Sequence, residues 1–149
     1  MTRTATSKPS RGSETLTYGV RVRVAPNFVP EQGECERRSY VFTYRVRITN
    51  ESPRTVQLVS RRWEIVNASG SSHVVQGDGV VGQQPVLEPG QSFEYSSYCP
   101  LDTPWGTMEV CFTMTREDGQ AFDIPVGRFY LVSDQPPRRA IVRPSIRVS

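Results

Sequence analysis

The sequence predicts an all-β fold, an antiparallel sandwich or barrel of about seven or eight strands, on three observations. Apolar residues between positions 16 and 132 recur with a period of two rather than 3.6. Turn-forming clusters interrupt them at regular spacing. Twelve prolines and eleven glycines in 149 residues favour turns and leave no convincing helix. The alternation is one-sided, as in antiparallel sheets that turn one face to a core and the other to water.

The elements follow in order. Leu16–Val24 alternates, with Tyr18, Val20, Val22 and Val24 on one face and Arg21 and Arg23 on the other. Tyr40–Thr49 places Phe42, Tyr44, Val46 and Ile48 inward and Arg45 and Arg47 outward. Asn50-Glu51-Ser52-Pro53 is a turn signal. The next strand, Thr55–Asn67, switches parity: Val56 and Leu58 are even, Trp63 and Ile65 odd. A bulge near Ser60-Arg61-Arg62 would return both sets to the core. Asn67-Ala68-Ser69-Gly70 turns the chain into a short strand over Ser72–Gln76. Glu88-Pro89-Gly90 leads into Ser92–Tyr98, and Thr107–Thr115 follows with Met108, Val110, Phe112 and Met114 on one face. Glu117-Asp118-Gly119 makes a hairpin into the last strand, Ala121–Val132. Pro125 inside that strand predicts a sheet edge or a bulge.

Charge separates the ends from the middle. The chain carries a formal +3, of which residues 1–14 supply +2 and residues 134–149 supply +3, leaving −2 for the middle. The composition predicts a disordered basic tail over 1–15, one domain over 16–133 and a basic Pro/Arg tail over 134–149. Ile141, Val142, Ile146 and Val148 leave open a docking role for the last segment. The basic character belongs to the tails, so it does not mark the domain as a nucleic-acid binder beyond weak tail electrostatics. Three cysteines, Cys35, Cys99 and Cys111, are an odd number without metal-ligand spacing. They favour a reducing compartment, and the expected location is the cytoplasm. The N-terminus has no apolar run typical of a secretory signal. No stretch approaches the roughly 18 apolar residues that span a bilayer.

Three stretches resemble the ApaG domain. They are Val56-Gln57-Leu58 with Arg62-Trp63; Val75-Gln76-Gly77-Asp78-Gly79-Val80-Val81-Gly82-Gln83-Gln84-Pro85 followed by Glu88-Pro89-Gly90; and Thr103-Pro104-Trp105-Gly106-Thr107-Met108. Phe122-Asp123-Ile124-Pro125-Val126 fits as well, and the resemblance spans roughly residues 17–132. It implies an immunoglobulin-like sandwich of the fibronectin-type-III kind. Members of that family occur as stand-alone bacterial proteins and as a domain in eukaryotic F-box and polymerase-interacting proteins, where a protein-interaction role is inferred. Bacterial members carry the label of a Co²⁺/Mg²⁺ efflux protein; a chain without a membrane span could serve efflux only indirectly.

Gly77-Asp78-Gly79-Val80-Val81-Gly82 has the form G-x-G-x-x-G. A dinucleotide fold would continue it as a helix, and Pro85 and Pro89 forbid that. Its glycines serve backbone conformation in one reading and a phosphate-binding nest of N–H groups in the other. Arg21, Arg23, Arg45 and Arg47 form a basic outer face that needs relief from carboxylates, solvent or an anionic partner. His73 is the sole histidine and has no nucleophile or orienting partner in sequence, so no catalytic or metal set assembles. No cofactor is implied.

The expected function is a non-catalytic binding module. It recognises another protein through an exposed sheet face, an edge strand or the glycine loop, and a homodimer is left open. The alternative is a small-ligand module binding a phosphate-containing metabolite or nucleotide at Gly77–Gly82. The candidate site residues are Gly77, Gly79 and Gly82, then Arg61, Arg62 and Trp63, with Trp63 also a core candidate.

Overall fold

The structure is a computed structural model that describes residues 11–30 and 40–133. Cys35 and the segments 1–10 and 134–149, including Ile141–Val148, lie outside the described residues. Nine strands run along the described chain: β1 (Ser13–Thr17), β2 (Val20–Phe28), β3 (Tyr40–Asn50), β4 (Val56–Asn67), β5 (Ser72–Asp78), β6 (Val86–Leu87), β7 (Ser92–Leu101), β8 (Trp105–Arg116) and β9 (Ala121–Val132). They form two antiparallel sheets, ordered β1-β2-β3-β7 and β5-β4-β8-β9, with the two-residue β6 added to β4. The inner faces meet in one core, so the fold is the expected all-β sandwich.

Alternation builds that core as the sequence predicts. Phe42, Tyr44, Val46 and Ile48 of β3 are buried, and so are Met108, Val110, Phe112 and Met114 of β8. Full burial of a Val, Ile, Phe or Met side chain among these contributes about 1.5–3 kcal/mol. The strand expected over Leu16–Val24 is two strands. Tyr18 (φ +52°) and Gly19 (φ +79°) turn the chain between Thr17 and Val20, which pair directly. A two-residue turn reverses parity: Thr17 and Thr15 share a face with their partners Val20 and Val22, and Leu16 faces outward with Arg21. Tyr18 is therefore 64 % exposed rather than core, and leans edge-on against Phe122 at 5.7 Å. Residues 13–15, grouped with the N-terminal tail by composition, belong to β1. That strand buries little and is held by its pairing with β2.

Two bulges redirect side chains. In β4 the register with β8 shifts between Leu58 and Ser60, making Val59 the extra residue. Val56 and Leu58 before it are buried, and Trp63 and Ile65 after it pack on the same core. In β9 the register shifts opposite Glu109, between Val126 and Phe129. Both of those residues are buried despite their opposite parity. Pro125 sits on this outer strand of its sheet, where a missing N–H costs no ladder bond.

The sandwich closes along one side, where β1 lies against β9. The Tyr130 N–H donates to Arg11 O at 2.9 Å, and Gly127 leaves room for Ser13 and Thr15. On the other side β7 and β5 are the outer strands. Asn50, at the end of β3, is the buried polar residue of the core and is fully bonded. Its amide donates to Arg54 O (2.8 Å) and Leu87 O (2.9 Å), and its Oδ1 accepts from the Ser52 N–H (3.0 Å) and hydroxyl (2.7 Å). Asn50 thereby holds β6 against the β3–β4 turn.

Candidate functional site

The glycine loop is built on the β4 bulge. Gly79 (φ +63°) donates its N–H to Val59 O at 2.7 Å, and the Gln84 amide donates to the same carbonyl at 2.8 Å. Val80 and Gln83 then exchange two backbone bonds of 2.8 Å each. Val81 (φ +43°) and Gly82 (φ +80°) form the two-residue turn between them, the pattern of a type I′ turn. Val80 is buried as an anchor, while Val81 is 51 % exposed and strained, because a β-branched residue rarely adopts positive φ. The loop turns carbonyls toward a cation: Arg61 Nη1 donates to Asp78 O (3.0 Å) and Gly79 O (2.8 Å).

Each glycine has its own reason. A Cβ on Gly79 would collide with the backbone carbonyl of Gln83. Gly82 has open space and needs only its positive φ. Gly77 has no positive φ; its bare Cα makes room for Arg61, whose Nη1 would stand 2.9 Å from an added Cβ.

Arg61 and Trp63 follow the bulge on the inner side of β4, and the guanidinium carbon stands 5.4 Å from the Trp63 ring centroid. Trp63 is half-buried and meets Tyr44 edge-on at 5.6 Å. Both its Nε1 and the Tyr44 hydroxyl are buried without a hydrogen-bond partner. Burial pushes the phenols of Tyr44 and Tyr95 up. Arg62 points away, to the outer face of the sheet. There it lines a shallow pocket of about 440 Å³ with Gln76, Cys111 and Asp123. The structure thus gathers Gly77, Gly79, Arg61 and Trp63 at one corner, with Gly82 further along the loop and Arg62 on the other face of β4, where its pocket also borders Arg61 and Gly77. Tyr44 was legible in the sequence only as a core residue.

The basic outer face of the first sheet is mostly neutralised. Arg23 and Arg47 are direct cross-strand partners. Arg21 binds Glu14 (2.7 Å) and Glu51 (2.6 Å), Arg23 binds Glu14 (3.3 Å), and Arg47 binds Glu94 (3.2 Å). Hydrogen bonding from Arg21 lowers both the Glu14 and the Glu51 carboxyls below their usual range. Arg45 has no carboxylate partner among the described residues and lines a groove of about 680 Å³. Sequence reasoning missed the three glutamates, because which carboxylate meets which arginine depends on register and turn geometry.

Cys99 and Cys111 lie in different sheets, on β7 and β8. Desolvation pushes the buried Cys99 thiol up to about 11 and raises Cys111 as well. Among the described residues no group of three His, Cys, Asp or Glu could hold a metal ion. No helix among them is long and apolar enough to cross a membrane.

Comparison with known proteins places this architecture. Residues 30–116 match the family model described as the ApaG domain. The Protein ApaG of Anaeromyxobacter dehalogenans strain 2CP-1 is 52 % identical over 120 residues, covering 80 % of this chain and 94 % of that protein. The Protein ApaG of Methylobacterium sp. strain 4-46 is 49 % identical over 115 residues, covering 77 % and 88 %. The crystal structure of an ApaA protein from Bordetella pertussis superposes with a TM-score of 0.77 at 43 % identity, over 81 % of this chain and 98 % of that one. With the sandwich, the bulge and the glycine loop already in place, these matches show that the chain belongs to the ApaG domain family.

Proposed function

We propose that this domain is a non-catalytic protein-recognition module that takes an extended segment of its partner along β5. Strand addition at a sheet edge uses backbone N–H and C=O groups for affinity and alternate side chains for specificity. The observation that carries this reading is the undefended state of that edge. Natural sheets blunt their edges with proline, bulges, lysine or a covering element. β9 has Pro125, a bulge and β1 alongside; β7 has Pro100. β5, Ser-His-Val-Val-Gln-Gly-Asp, has neither proline nor lysine, and its Val74 is 44 % exposed. The lock between the glycine loop and Val59 steadies the end of β5, so the edge is presented in one shape.

Three of the loop's backbone donors are already engaged, which weighs against the phosphate-binding reading. The N–H groups of Gly79, Val80 and Gln83 are already bonded, and the carbonyls of Asp78 and Gly79 face the Arg61 cation. His73 is exposed on β5, which fits a binding role. The buried, free Cys99 thiol fits a reducing compartment, and we place the protein in the cytoplasm.

The test is amide hydrogen exchange with and without a partner captured by the full chain. Residues 73–77 should gain protection, and Val74→Pro should lose the partner while keeping its β-sheet circular dichroism. Protection confined to residues 79–83, or to the arginine face of β2 and β3, would sink the proposal.

A further inference from the structure

The corner formed by Arg61, Trp63 and Tyr44 contains donors without an acceptor. The Trp63 Nε1–H can only donate, and it is buried without a partner. The Tyr44 hydroxyl is likewise unpartnered, and Tyr44 is only 1 % exposed. Ser97 stands opposite Tyr44 across β3 and β7 and acts on the phenol, but its hydroxyl does not complete a hydrogen bond with it. Arg61 stands over the Trp63 ring, and its charge acts on both the Tyr44 and the Tyr95 phenols. Its hydrogen bonds run from Nη1 to two backbone carbonyls. No carboxylate pairs with it among the described residues.

Orphaned buried donors are rare, because each costs its full desolvation. A water molecule would answer them poorly. It brings two donors of its own into a corner that already has a cation and a surplus of N–H and O–H groups. A group that only accepts answers all of them.

We propose that this corner binds a small oxyanion, a carboxylate or phosphate oxygen, with Trp63 Nε1, the Tyr44 hydroxyl and the Arg61 guanidinium as its donors. The site uses side chains rather than the loop's N–H groups. It is independent of partner recognition along β5. Half-exposed Trp63 and Arg61 form its approach, and Gly77, having no side chain, leaves the guanidinium room to lie flat.

Two indole N–H signals make the test direct, since Trp63 and Trp105 are the chain's tryptophans. The ¹⁵N-labelled full chain is titrated separately with inorganic phosphate and with acetate at fixed ionic strength. The Trp63 indole should shift saturably in at least one arm while Trp105 stays still; the responding arm names the acid. Tyr44→Phe, which keeps the ring, should weaken that binding about tenfold or more. Arg61→Gln should abolish it. The proposal is overturned if the Trp63 signal shows no saturable shift in either arm. It is overturned equally if Tyr44→Phe, folded by circular dichroism, binds as the parent does. A Trp63 indole that still contacts water at saturating anion would also overturn it.

Discussion

The carbonyl oxygen of Val59 accepts the Gly79 N–H at 2.7 Å. Val59 is the residue that the β4 bulge throws out of register, and Gly79 is the residue whose positive φ turns β5 into its loop. Each irregularity supplies the other's hydrogen-bond partner. The lock fixes where β5 ends and where Arg61 and Trp63 point.

Gly79→Ala should therefore be the costliest of the three loop-glycine substitutions. It places a side chain at φ +63° and drives its Cβ into a backbone carbonyl that cannot swing aside. A loss of about 2 kcal/mol or more is expected, against about 1 kcal/mol for Gly82→Ala, which meets nothing. Gly77→Ala should fall below Gly79→Ala, because the Arg61 guanidinium can shift. Urea denaturation of the three variants checks the order.

Trp63→Ala removes a half-buried ring that packs on the core and on Tyr44. The expected loss is about 3 kcal/mol, the low end for a large aromatic because part of the ring already meets solvent. A melting temperature equal to the parent's would make Trp63 a surface residue.

Tyr44→Phe should behave in the opposite sense. In anion-free buffer it deletes a buried hydroxyl without a partner and keeps the ring contacts with Trp63 and Phe129. Stability should be unchanged or raised by up to about 1 kcal/mol. A clear loss by urea denaturation would mean that the hydroxyl has a partner in solution.

Acid should loosen the first sheet at its β1–β2 end. Arg21 holds the Glu14 and Glu51 carboxyls below their ordinary 4.5, so the unfolded chain binds these protons more tightly than the folded one. The pairs stabilise the fold fully above pH 4.5, and the contribution is lost as pH falls through the lowered folded values. Arg21→Met should flatten the fall in urea midpoint below pH 4.5, and added salt should do the same in the parent, since these pairs are solvent-exposed.

Much of the fold was legible because parity is a physical signal. Phe42 through Ile48 and Met108 through Met114 alternate because one side of each strand meets the core. The parity switch between Leu58 and Trp63 called for a bulge, and the structure places it at Val59, one residue before the expected segment. Pro125 pointed to an edge. β1 was not legible: Ser13-Glu14-Thr15-Leu16-Thr17 buries little and owes its form to pairing. β6 is two residues long, too short for any period. At the candidate site the glycines and Arg61 stood out by type, but Tyr44 did not. Alternation says that a tyrosine points inward; it does not say whether its hydroxyl finds a partner there.

The bond between Arg11 O and Tyr130 N makes the two ends of the folded unit neighbours. The order of strands along the chain is then one way of cutting a closed loop. A circularly permuted protein, with a few residues bridging Ser133 to Arg11 and new termini at exposed Ser69-Gly70, would keep every strand pairing intact. Such a permutant would separate what the two sheets require from what the chain's starting point imposes on the order in which they assemble.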